Sequence, residues 1–390
     1  MRTASFRQTP LTERVYFGLP AAEVIAEEME ARRLERAMIV ASRTLAGTTP
    51  VVGQLIERLK ERVIEVRTGF SQHSPNDEIL RLADRMRAVE PDVMITIGGG
   101  SVVDCAKVAR LAVGASAKDR EGLRSLRSIM GEDGVRRSPP YSVASTPMIA
   151  VATTLSAAEY TDMAGSTDPQ IGMKDIYKHP RLAPEVVVLD PAVAVHTPQK
   201  IWIGAGARAV DHAVETVCSH LGDHYSNGPA LHAIRLLRDA LPDSLADQHD
   251  LDARQRCLQA AWLAADHAAA GIGMGASHGI GYVVGSRHRV AHGHTSAILL
   301  PAVLAYNFPS NSQEQAMVAE AIGTPGASAS TLVAALFARL GLPARLGDVG
   351  VKAEHHAAIA RTAIETGVVR NNPRPLHSEA DVMEILAMAA

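Results

Sequence analysis

The sequence predicts two domains of different class: an α/β domain with a parallel sheet, followed by a domain built only of helices. Short β-branched runs alternate with helix-length segments in the first half. The β-branched runs stop after Asp190, and the second half is alanine- and leucine-rich at helical spacing. The 390 residues suffice for two cores, since domains average roughly 150 residues. We therefore place the domains at residues 1–190 and 191–390.

Six apolar runs of strand length, each bounded by polar or turn-forming residues, are expected to form the sheet. They are Arg14–Phe17, Ala37–Val40, Val63–Val66, Val93–Ile97, Met148–Ala152 and Val186–Leu189. Amphipathic segments, such as residues 21–35 and 76–90, lie between them, which favours βαβ units and a sheet covered on both faces. The charged stretch Lys118–Tyr141 interrupts this alternation, and we interpret it as a long loop or short insertion.

The second half contains segments whose apolar residues recur three and four positions apart, as on the buried face of a helix. They cover residues 204–220, 230–241, 253–270, 331–340 and 353–365. No β-branched run separates them, so the second domain is predicted to be all-α.

Composition excludes several classes of protein. A formal net charge of -3 gives no electrostatic basis for binding nucleic acid or an anionic membrane, and no apolar stretch is long enough to cross a bilayer. The N-terminus lacks the apolar core of a signal peptide, and the three cysteines show no CxxC spacing. We expect a cytoplasmic protein without disulfides.

A glycine-rich segment follows the fourth predicted strand. Gly98, Gly99, Gly100 and Ser101 lead from that strand directly into a predicted helix. Glycines let backbone N–H groups approach an anion, and a helix N-terminus favours negative charge, so the segment suits a pyrophosphate. A tight turn without a ligand is the alternative interpretation. The segment fits neither the GxGxxG nor the Walker pattern.

The segment GGGSVVDCAK resembles the GGGSxxDxAK motif of the group III, or iron-containing, alcohol dehydrogenases. Further motifs of that family follow in the same order: RVYFG, TTLSAAEYT, LDP and HGHTSAILLP. TTLSAAEYT, LAYN and NPRP are most similar to the maleylacetate reductase branch. The resemblance covers nearly the whole chain.

This resemblance implies a dinucleotide-binding α/β domain, a helical domain and the architecture shared with dehydroquinate synthases. It also implies a nicotinamide cofactor in the cleft between the domains. Carried over by position, Gly98, Gly99, Gly100 and Ser101 would hold the pyrophosphate. Thr153 and Thr154 would line the cofactor side of the cleft.

The choice between NAD and NADP concerns the residues after the second strand. Members of the family that prefer NAD carry an Asp there, whereas this chain has Ser42 and Arg43. A serine hydroxyl and a guanidinium can bind a 2′-phosphate that a carboxylate would repel. We therefore expect NADPH to be accepted at least as well as NADH; the alternative is that Arg43 points to solvent.

The chain has 16 histidines, and five of them fall between His267 and His294. Arg208 and His212 share one helical face, and Asp211 and Glu215 a neighbouring one. Further candidate positions follow at His267, Met274, His278, His288, His292 and His294. Histidine suits metal binding or proton transfer near neutral pH, but these spacings match no zinc motif.

The resemblance implies that metal-binding members hold one divalent ion through an Asp, a His four residues later, and two further histidines. Arg208 occupies the Asp position and Met274 one His position, while His212 and His292 remain as residual ligand positions. A guanidinium repels a divalent cation, and Met is a poor ligand for it, so we expect no metal in the family manner. A relocated site using Asp211, His212, His278 or His288 is the alternative.

We predict an NAD(P)H-dependent reductase acting on a carbonyl or oxo-acid substrate, similar to maleylacetate reductase. Arg208 would stabilise alkoxide charge or bind a substrate carboxylate, with His212 beside it, and His278 and His292 are candidate proton donors. Alternatively, Arg208 is a structural ion-pair partner of Asp211 or Glu215, and the histidines are buried structural groups.

Three other functions remain open. They are a metal-dependent alcohol dehydrogenase with a rearranged site, a non-redox enzyme like dehydroquinate synthase, and a non-catalytic nucleotide-binding relative. The last is suggested by Ala157 and Ala158, which stand where the family motif has Gly and Ser. The expected partners are a small anionic substrate and a second copy of the chain in a homodimer.

Overall fold

The computed structural model describes residues 12–131, 136–170, 173–269 and 271–390. Those up to Thr197 form an α/β unit, and those from Pro198 onward form a helical unit. The division falls after the predicted boundary because Asp190 ties the next short helix to the α/β unit. One Asp190 carboxylate oxygen accepts from Ala192 N at 2.9 Å, and the other accepts from Ala21 N at 2.8 Å.

The described part of the α/β unit contains ten strands and seven α-helices. The strands are β1 (Arg14–Phe17), β2 (Ala37–Ala41), β3 (Val63–Thr68), β4 (Val93–Gly98), β5 (Ile129–Met130), β6 (Arg136–Arg137), β7 (Met148–Ala152), β8 (Met163–Asp168), β9 (Met173–Lys178) and β10 (Val186–Leu189). The helices are α1 (Ala21–Ala31), α2 (Arg43–Thr48), α3 (Val51–Leu59), α4 (Asn76–Val89), α5 (Gly100–Gly114), α6 (Arg120–Ser125) and α7 (Pro191–Ala194).

A parallel sheet of six strands, in the order β1-β10-β7-β4-β2-β3, forms the centre of this unit. The predicted sheet is confirmed, since each of the six predicted runs is one of its strands. β2, β4, β7 and β10 are buried along their whole length. One apolar core packs α4 and α5 on one face of the sheet, and a second packs α1 and α3 on the other.

Two features of this unit escaped sequence analysis. β8 and β9 form an antiparallel hairpin, although neither segment has the apolar alternation of a half-buried strand. The interval Lys118–Tyr141, interpreted as a loop, contains the short helix α6 and the paired strands β5 and β6. Asp119 starts α6 as its N-cap, accepting from Gly122 N at 2.7 Å.

The helical unit has the predicted all-α class in its described residues. Its α-helices are α8 (Gln199–Cys218), α9 (His224–Ala246), α10 (Leu251–Ala264), α11 (Asp266–Ala269), α12 (Ala276–His288), α13 (His292–Ile322), α14 (Ala329–Arg339), α15 (Ala353–Glu365) and α16 (Glu379–Met388). Short 3₁₀ helices cover Lys60–Arg62, Ala158–Tyr160 and Pro180–Leu182 in the α/β unit, and Leu346–Val349 and Val368–Asn371 in the helical unit. A hydrophobic core joins α12, α13, α15 and α16. Among the described helices, none combines the length and apolarity needed to span a bilayer.

Asn307 of α13 and Asn372 of the C-terminal segment bind each other through both amide groups. Asn307 Nδ2 donates to Asn372 Oδ1 at 3.0 Å, and Asn372 Nδ2 donates to Asn307 Oδ1 at 2.7 Å. Asn372 Oδ1 also accepts from Ala276 N, the first residue of α12, at 3.3 Å. This buried amide pair therefore fixes the start of α12 against two other segments.

Candidate active site

The glycine turn joins the end of β4 to the start of α5. β4 ends at Gly98 and α5 begins at Gly100, so the first N–H groups of α5 have no helical carbonyl to bind. A Cβ at Gly98 would lie 2.7 Å from Val102 Cγ2, and a Cβ at Gly99 would lie 3.0 Å from Thr154 Cγ2. Only glycine fits this space. The turn therefore suits the pyrophosphate of a dinucleotide, as the sequence pattern indicates.

Ser101 follows the glycines in the first turn of α5. Its hydroxyl oxygen accepts from His73 N at 3.1 Å, and its carbonyl accepts from Ser74 Oγ at 3.1 Å. The Ser101 side chain thus already holds the loop before α4, in addition to its expected place beside a phosphate.

The loop after β7 carries Thr153 and Thr154. Thr153 is buried, and its carbonyl accepts from Thr197 Oγ1 at 2.6 Å. Thr154 Oγ1 donates to Ser156 Oγ at 3.2 Å, and Ser156 Oγ lies 3.0 Å from the position of a Cβ at Gly100. Thr154 and Ser156 therefore lie directly against the glycine turn, as expected of a cofactor-side loop.

Ala157 adopts the left-handed conformation, with φ of 64°. The family motif has Gly at this position, and glycine populates this conformation without the strain that Ala incurs. Lys107 of α5 supports the same loop: its Nζ donates to the carbonyls of Ala158 at 2.5 Å, Thr161 at 2.6 Å and Met163 at 3.0 Å. The loop therefore stays attached to α5 through Lys107, although Ala157 stands where the motif has Gly.

Ser42 and Arg43 lie where the second strand meets α2. Ser42 Oγ accepts from Leu45 N at 3.3 Å and caps α2. Arg43 is exposed, forms no ion pair among the described residues, and its Nη2 lies 3.7 Å from the Cβ position of Gly69. The serine hydroxyl thus has a structural role, whereas the Arg43 guanidinium is available to an anion.

In the helical unit, α8 presents four charged or polar residues on two adjoining faces, which we call the α8 face. Arg208, Asp211, His212 and Glu215 are spaced three and four positions apart. Arg208 is 8% exposed, and its Nη1 lies 3.3 Å from Ser296 Oγ and 3.7 Å from Asp211 Oδ2. The structure therefore joins Arg208 to Asp211, and the guanidinium is held in one place.

The two acids of this face bind groups on other helices. Asp211 Oδ2 accepts from Ser277 Oγ at 2.9 Å and Ser296 Oγ at 2.6 Å. Glu215 accepts from Gly275 N at 3.0 Å and Ser277 N at 2.9 Å, and so binds the N-terminus of α12. Burial raises the pKa of Asp211 to about 6. Burial and repulsion from Asp211 raise the pKa of Glu215 to about 8, so the pair retains a proton at neutral pH.

Three histidine rings pack against one another beside these acids. The ring centroid of His212 lies 4.8 Å from that of His278 and 5.1 Å from that of His267. Burial lowers the pKa of His267 to about 4, and lowers the pKa of His212 and His278 well below the usual value. These imidazoles are therefore neutral at pH 7.

Tyr282 links this cluster to His292. Its ring meets His278 edge-on at 6.1 Å and His292 edge-on at 5.9 Å, and the Arg208 guanidinium lies 5.3 Å from its centroid. Tyr282 is 38% exposed and His292 is partly exposed, whereas His278 is fully buried. The structure therefore packs His212 directly against His278, connects Arg208 to His278 through Asp211 and Tyr282, and connects His292 to them through Tyr282.

Tyr282 and Ser296 are site residues that were not predicted from the sequence. Each lies four residues after a predicted site histidine on the same helix, Tyr282 after His278 and Ser296 after His292. That spacing was available as a signal, since such residues share a face. The ring of His288 instead contacts His355, with centroids 4.6 Å apart.

Comparison with known proteins identifies the family. A model of the iron-containing alcohol dehydrogenases matches residues 12–191, and a model of the C-terminal part of the Fe-containing alcohol dehydrogenase family matches residues 203–390. The chain belongs to the iron-containing alcohol dehydrogenase family. It is therefore an oxidoreductase acting on alcohol or carbonyl groups.

Individual relatives of this family member span nearly its whole length. Dehydrogenase FUM7 of Gibberella moniliformis is 32% identical over 415 residues, covering 96% of each chain. Maleylacetate reductase of Rhizobium sp. is 27% identical over 375 residues, covering 96% of this chain and 95% of that one. The crystal structure of a 1,3-propanediol oxidoreductase matches with a TM-score of 0.86 at 26% identity, covering 99% and 100% of the two chains.

The family's name raises the question of whether these residues fit an iron ion. Of the four positions carried over from metal-binding members, Arg208 is a cation and Met274 a buried thioether. Among the described residues, the grouping of His, Cys, Asp and Glu donors that could share an ion is Asp211, Glu215 and His278; it includes neither His212 nor His292. The residues present therefore do not fit the family's ion.

Proposed function

We propose that this family member is a reductase that uses NADH or NADPH to reduce the carbonyl group of an anionic substrate such as an oxo acid. The observation that carries the proposal is the Arg208 guanidinium, fixed by Asp211 and Ser296 at the position of a metal ligand in related enzymes. A fixed guanidinium stabilises negative charge on a carbonyl oxygen and binds carboxylates through two N–H groups. It therefore replaces part of the electrostatic role of a divalent ion.

In this proposal each unit has one task. A bound nicotinamide supplies the hydride, and the turn from Gly98 to Ser101 binds its pyrophosphate. Arg208 stabilises the oxygen that becomes an alkoxide, and His278 or His292 donates the proton that neutralises it. His212 packs against the His278 ring and keeps its orientation. The similarity to maleylacetate reductase of Rhizobium sp. supports an oxo-acid substrate.

A metal-dependent alcohol dehydrogenase with a rearranged site is the second candidate. It is favoured by Asp211, Glu215 and His278, whose donor atoms lie within 4.8 Å of one another. The Arg208 guanidinium, 3.7 Å from Asp211 Oδ2, opposes a divalent cation at this point, which is why we place this candidate second.

The experiment that separates the two candidates combines a substrate screen with metal analysis. Carbonyl compounds and oxo acids are assayed with NADH and NADPH, before and after dialysis against EDTA. We expect oxo-acid reduction whose kcat changes by less than about twofold on chelation. Activity that EDTA removes and Fe²⁺ or Zn²⁺ restores would contradict the proposal and support the rearranged metal site. Turnover without formation of oxidised nucleotide would indicate a non-redox enzyme.

A further inference from the structure

Tyr282 is the most exposed residue of the Arg208 site, which we define as Arg208, Asp211, His278, Tyr282, His292 and Ser296. It is 38% exposed, whereas Arg208 is 8% exposed and His278 is fully buried. A molecule that reaches the Arg208 guanidinium from solvent is therefore expected to contact Tyr282 as well. The sequence pattern and the proposed function leave this residue without a role.

The Tyr282 ring is in contact with groups of three helices. Arg208 Cζ of α8 lies over the ring, 5.3 Å from its centroid. The imidazoles of His278 on α12 and His292 on α13 meet the ring at interplanar angles of 84° and 88°. A guanidinium over an aromatic face is attracted to the electron density of the ring. Tyr282 therefore has a defined place, and it adds an aromatic contact to the polar contacts that hold Arg208.

Two side chains of this site keep hydrogen-bond donors that no described residue accepts. The Tyr282 hydroxyl is one such donor, and Nε and Nη2 of Arg208 are others, since Ser296 accepts from Nη1 alone. Asp211, in contrast, already accepts from the hydroxyls of Ser277 and Ser296. A ligand with two acceptor oxygens can therefore bind Arg208 and Tyr282 together without breaking a hydrogen bond of the folded protein.

We propose that Tyr282 determines substrate specificity: its hydroxyl binds the carboxylate of an oxo acid whose carbonyl oxygen is bound by Arg208. Because Arg208 Cζ lies 5.3 Å from the Tyr282 centroid, the two donors belong to one small patch. The oxygens that they bind must therefore be close together in the substrate. This favours short acids with the carboxylate next to the carbonyl group or one carbon away, namely 2-oxo and 3-oxo acids. The inference rests on the reductase function proposed above and names its substrate class.

The charges around Arg208 explain why the carboxylate belongs at Tyr282. Asp211 Oδ2 lies 3.7 Å from Arg208 Nη1 and is fully buried, so a second carboxylate placed deep beside Arg208 would be repelled by Asp211. At the exposed Tyr282 a carboxylate keeps part of its hydration, so it needs no second cation. A phenol O–H donated to a carboxylate is a charge-assisted hydrogen bond, which is stronger than one between neutral groups.

The first test compares substrates with and without a carboxylate in the full-length protein. Reduction of pyruvate and acetoacetate is measured beside that of acetone and butanone, for the wild type and for Tyr282→Phe. We expect kcat/KM for the oxo acids to fall about 10- to 100-fold, the range for one hydrogen bond to a charged group. The value for the ketones should change by less than about twofold. No loss with the oxo acids, or an equal loss with both classes, would overturn the proposal.

A second variant separates the hydroxyl from the ring. Tyr282→Leu removes both, so Arg208 also loses its aromatic contact, and the rate with ketones should fall about two- to fivefold in addition to the loss with oxo acids. Tyr225→Phe is the matched control, because it removes a hydroxyl from a residue of α9 that is 66% exposed and lies outside the Arg208 site. This control should leave kcat/KM for both substrate classes unchanged. Wild-type reduction of oxo acids by Tyr282→Leu would overturn the proposal.

A third test does not depend on turnover. Malonate carries two carboxylates on one carbon, so an oxygen of one can take the place of the carbonyl oxygen while the other binds Tyr282. Titration calorimetry should show malonate bound to the wild type and bound at least about tenfold more weakly to Tyr282→Phe, with acetate unaffected by the substitution. Malonate that binds both proteins equally, or neither, would overturn the proposal. If malonate binds as expected but no carbonyl compound is reduced, the reductase function fails and the anion site at Tyr282 stands.

Discussion

The glycine turn of the α/β unit and the α8 face of the helical unit differ in how far they keep the family pattern. The turn keeps every glycine of the motif, and a Cβ at Gly98 or Gly99 would meet Val102 or Thr154. The α8 face has exchanged an acidic ligand position for Arg208 and keeps His212. Backbone N–H groups approach an anion closely only where side chains are absent, so the glycines of the turn cannot be replaced by larger residues. Positive charge beside a substrate oxygen can come from a metal ion or from a guanidinium, so the residues of the α8 face can differ while the charge is kept.

The largest effect is expected at Arg208. Arg208→Ala removes the cation beside the carbonyl oxygen and should lower kcat by about 10²–10³-fold, the range seen when one oxyanion donor is lost. Arg208→Lys should recover only part of this, because an ammonium lacks the two parallel N–H groups. Steady-state kinetics with Tm measured alongside provide the check. Unchanged kcat in a folded Arg208→Ala protein would leave Arg208 as a structural ion-pair partner of Asp211.

A smaller effect, confined to the nucleotide, is expected at the glycine turn. Gly99→Ala places a methyl group 3.0 Å from Thr154 Cγ2, which is tighter than an ordinary contact, so the turn and Thr154 are pushed apart and the KM for nucleotide should rise at least about tenfold. The double variant Gly99→Ala/Thr154→Ser removes that methyl contact and should recover part of the affinity. Titration of nucleotide binding measures both. Equal affinity for wild type and Gly99→Ala would show that the turn does not hold the pyrophosphate.

Arg43 should affect one cofactor and not the other. Arg43→Ala removes an exposed guanidinium, and loss of one charge-assisted hydrogen bond should raise the KM for NADPH about tenfold while leaving that for NADH unchanged. The ratio of kcat/KM for the two nucleotides gives the result. A wild-type preference of about 100-fold for NADH would show instead that Arg43 points to solvent and does not bind the 2′-phosphate.

The pH dependence of stability should show a modest difference at Glu215. Its pKa is raised from 4.5 to about 8 in the folded protein, so the folded state holds this proton more tightly than the unfolded chain. The resulting stability is present below the unfolded pKa and is lost as pH rises through about 8. Because Gln carries no such proton, the Tm of Glu215→Gln relative to wild type should rise between about pH 5 and about pH 9. A constant Tm difference would show that Glu215 is ionised throughout.

Local sequence predicted the sheet well because its four inner strands, β2, β4, β7 and β10, are buried on both faces and therefore read as continuous apolar runs. The hairpin of β8 and β9 was missed because MAGSTD and MKDIYK carry charged or polar residues at about half of their positions and lack a regular apolar alternation. Their pairing is decided by tertiary contacts, such as Gly165 N donating to Asp104 at 3.1 Å. The boundary was placed at Asp190 because composition changes there, whereas the hydrogen bonds of Asp190 keep the next helix with the sheet.

The site was accessible to sequence analysis only in part. Arg208 and Asp211 could be placed near each other from their spacing on one helix. The contact of Glu215 with His278 joins residues of different helices, so no spacing along the chain indicates it. Tyr282 lies four residues after His278 on the same helix, but this spacing does not distinguish a site residue from any other residue of that face. The assigned roles of Arg208, His212, His278 and His292 stay predictions that the kinetics above can test.

The amide pair of Asn307 and Asn372 has a consequence for how the C-terminal segment can vary. Replacing either residue alone leaves a buried amide without its partner, which should lower the free energy of unfolding by roughly 1–3 kcal/mol. It should also loosen the first turn of α12, two residues before His278. Tolerated sequence changes at these two positions should consequently arise together. Ending the chain before Asn372 should disable turnover, because α12 then loses the amide that holds its first turn.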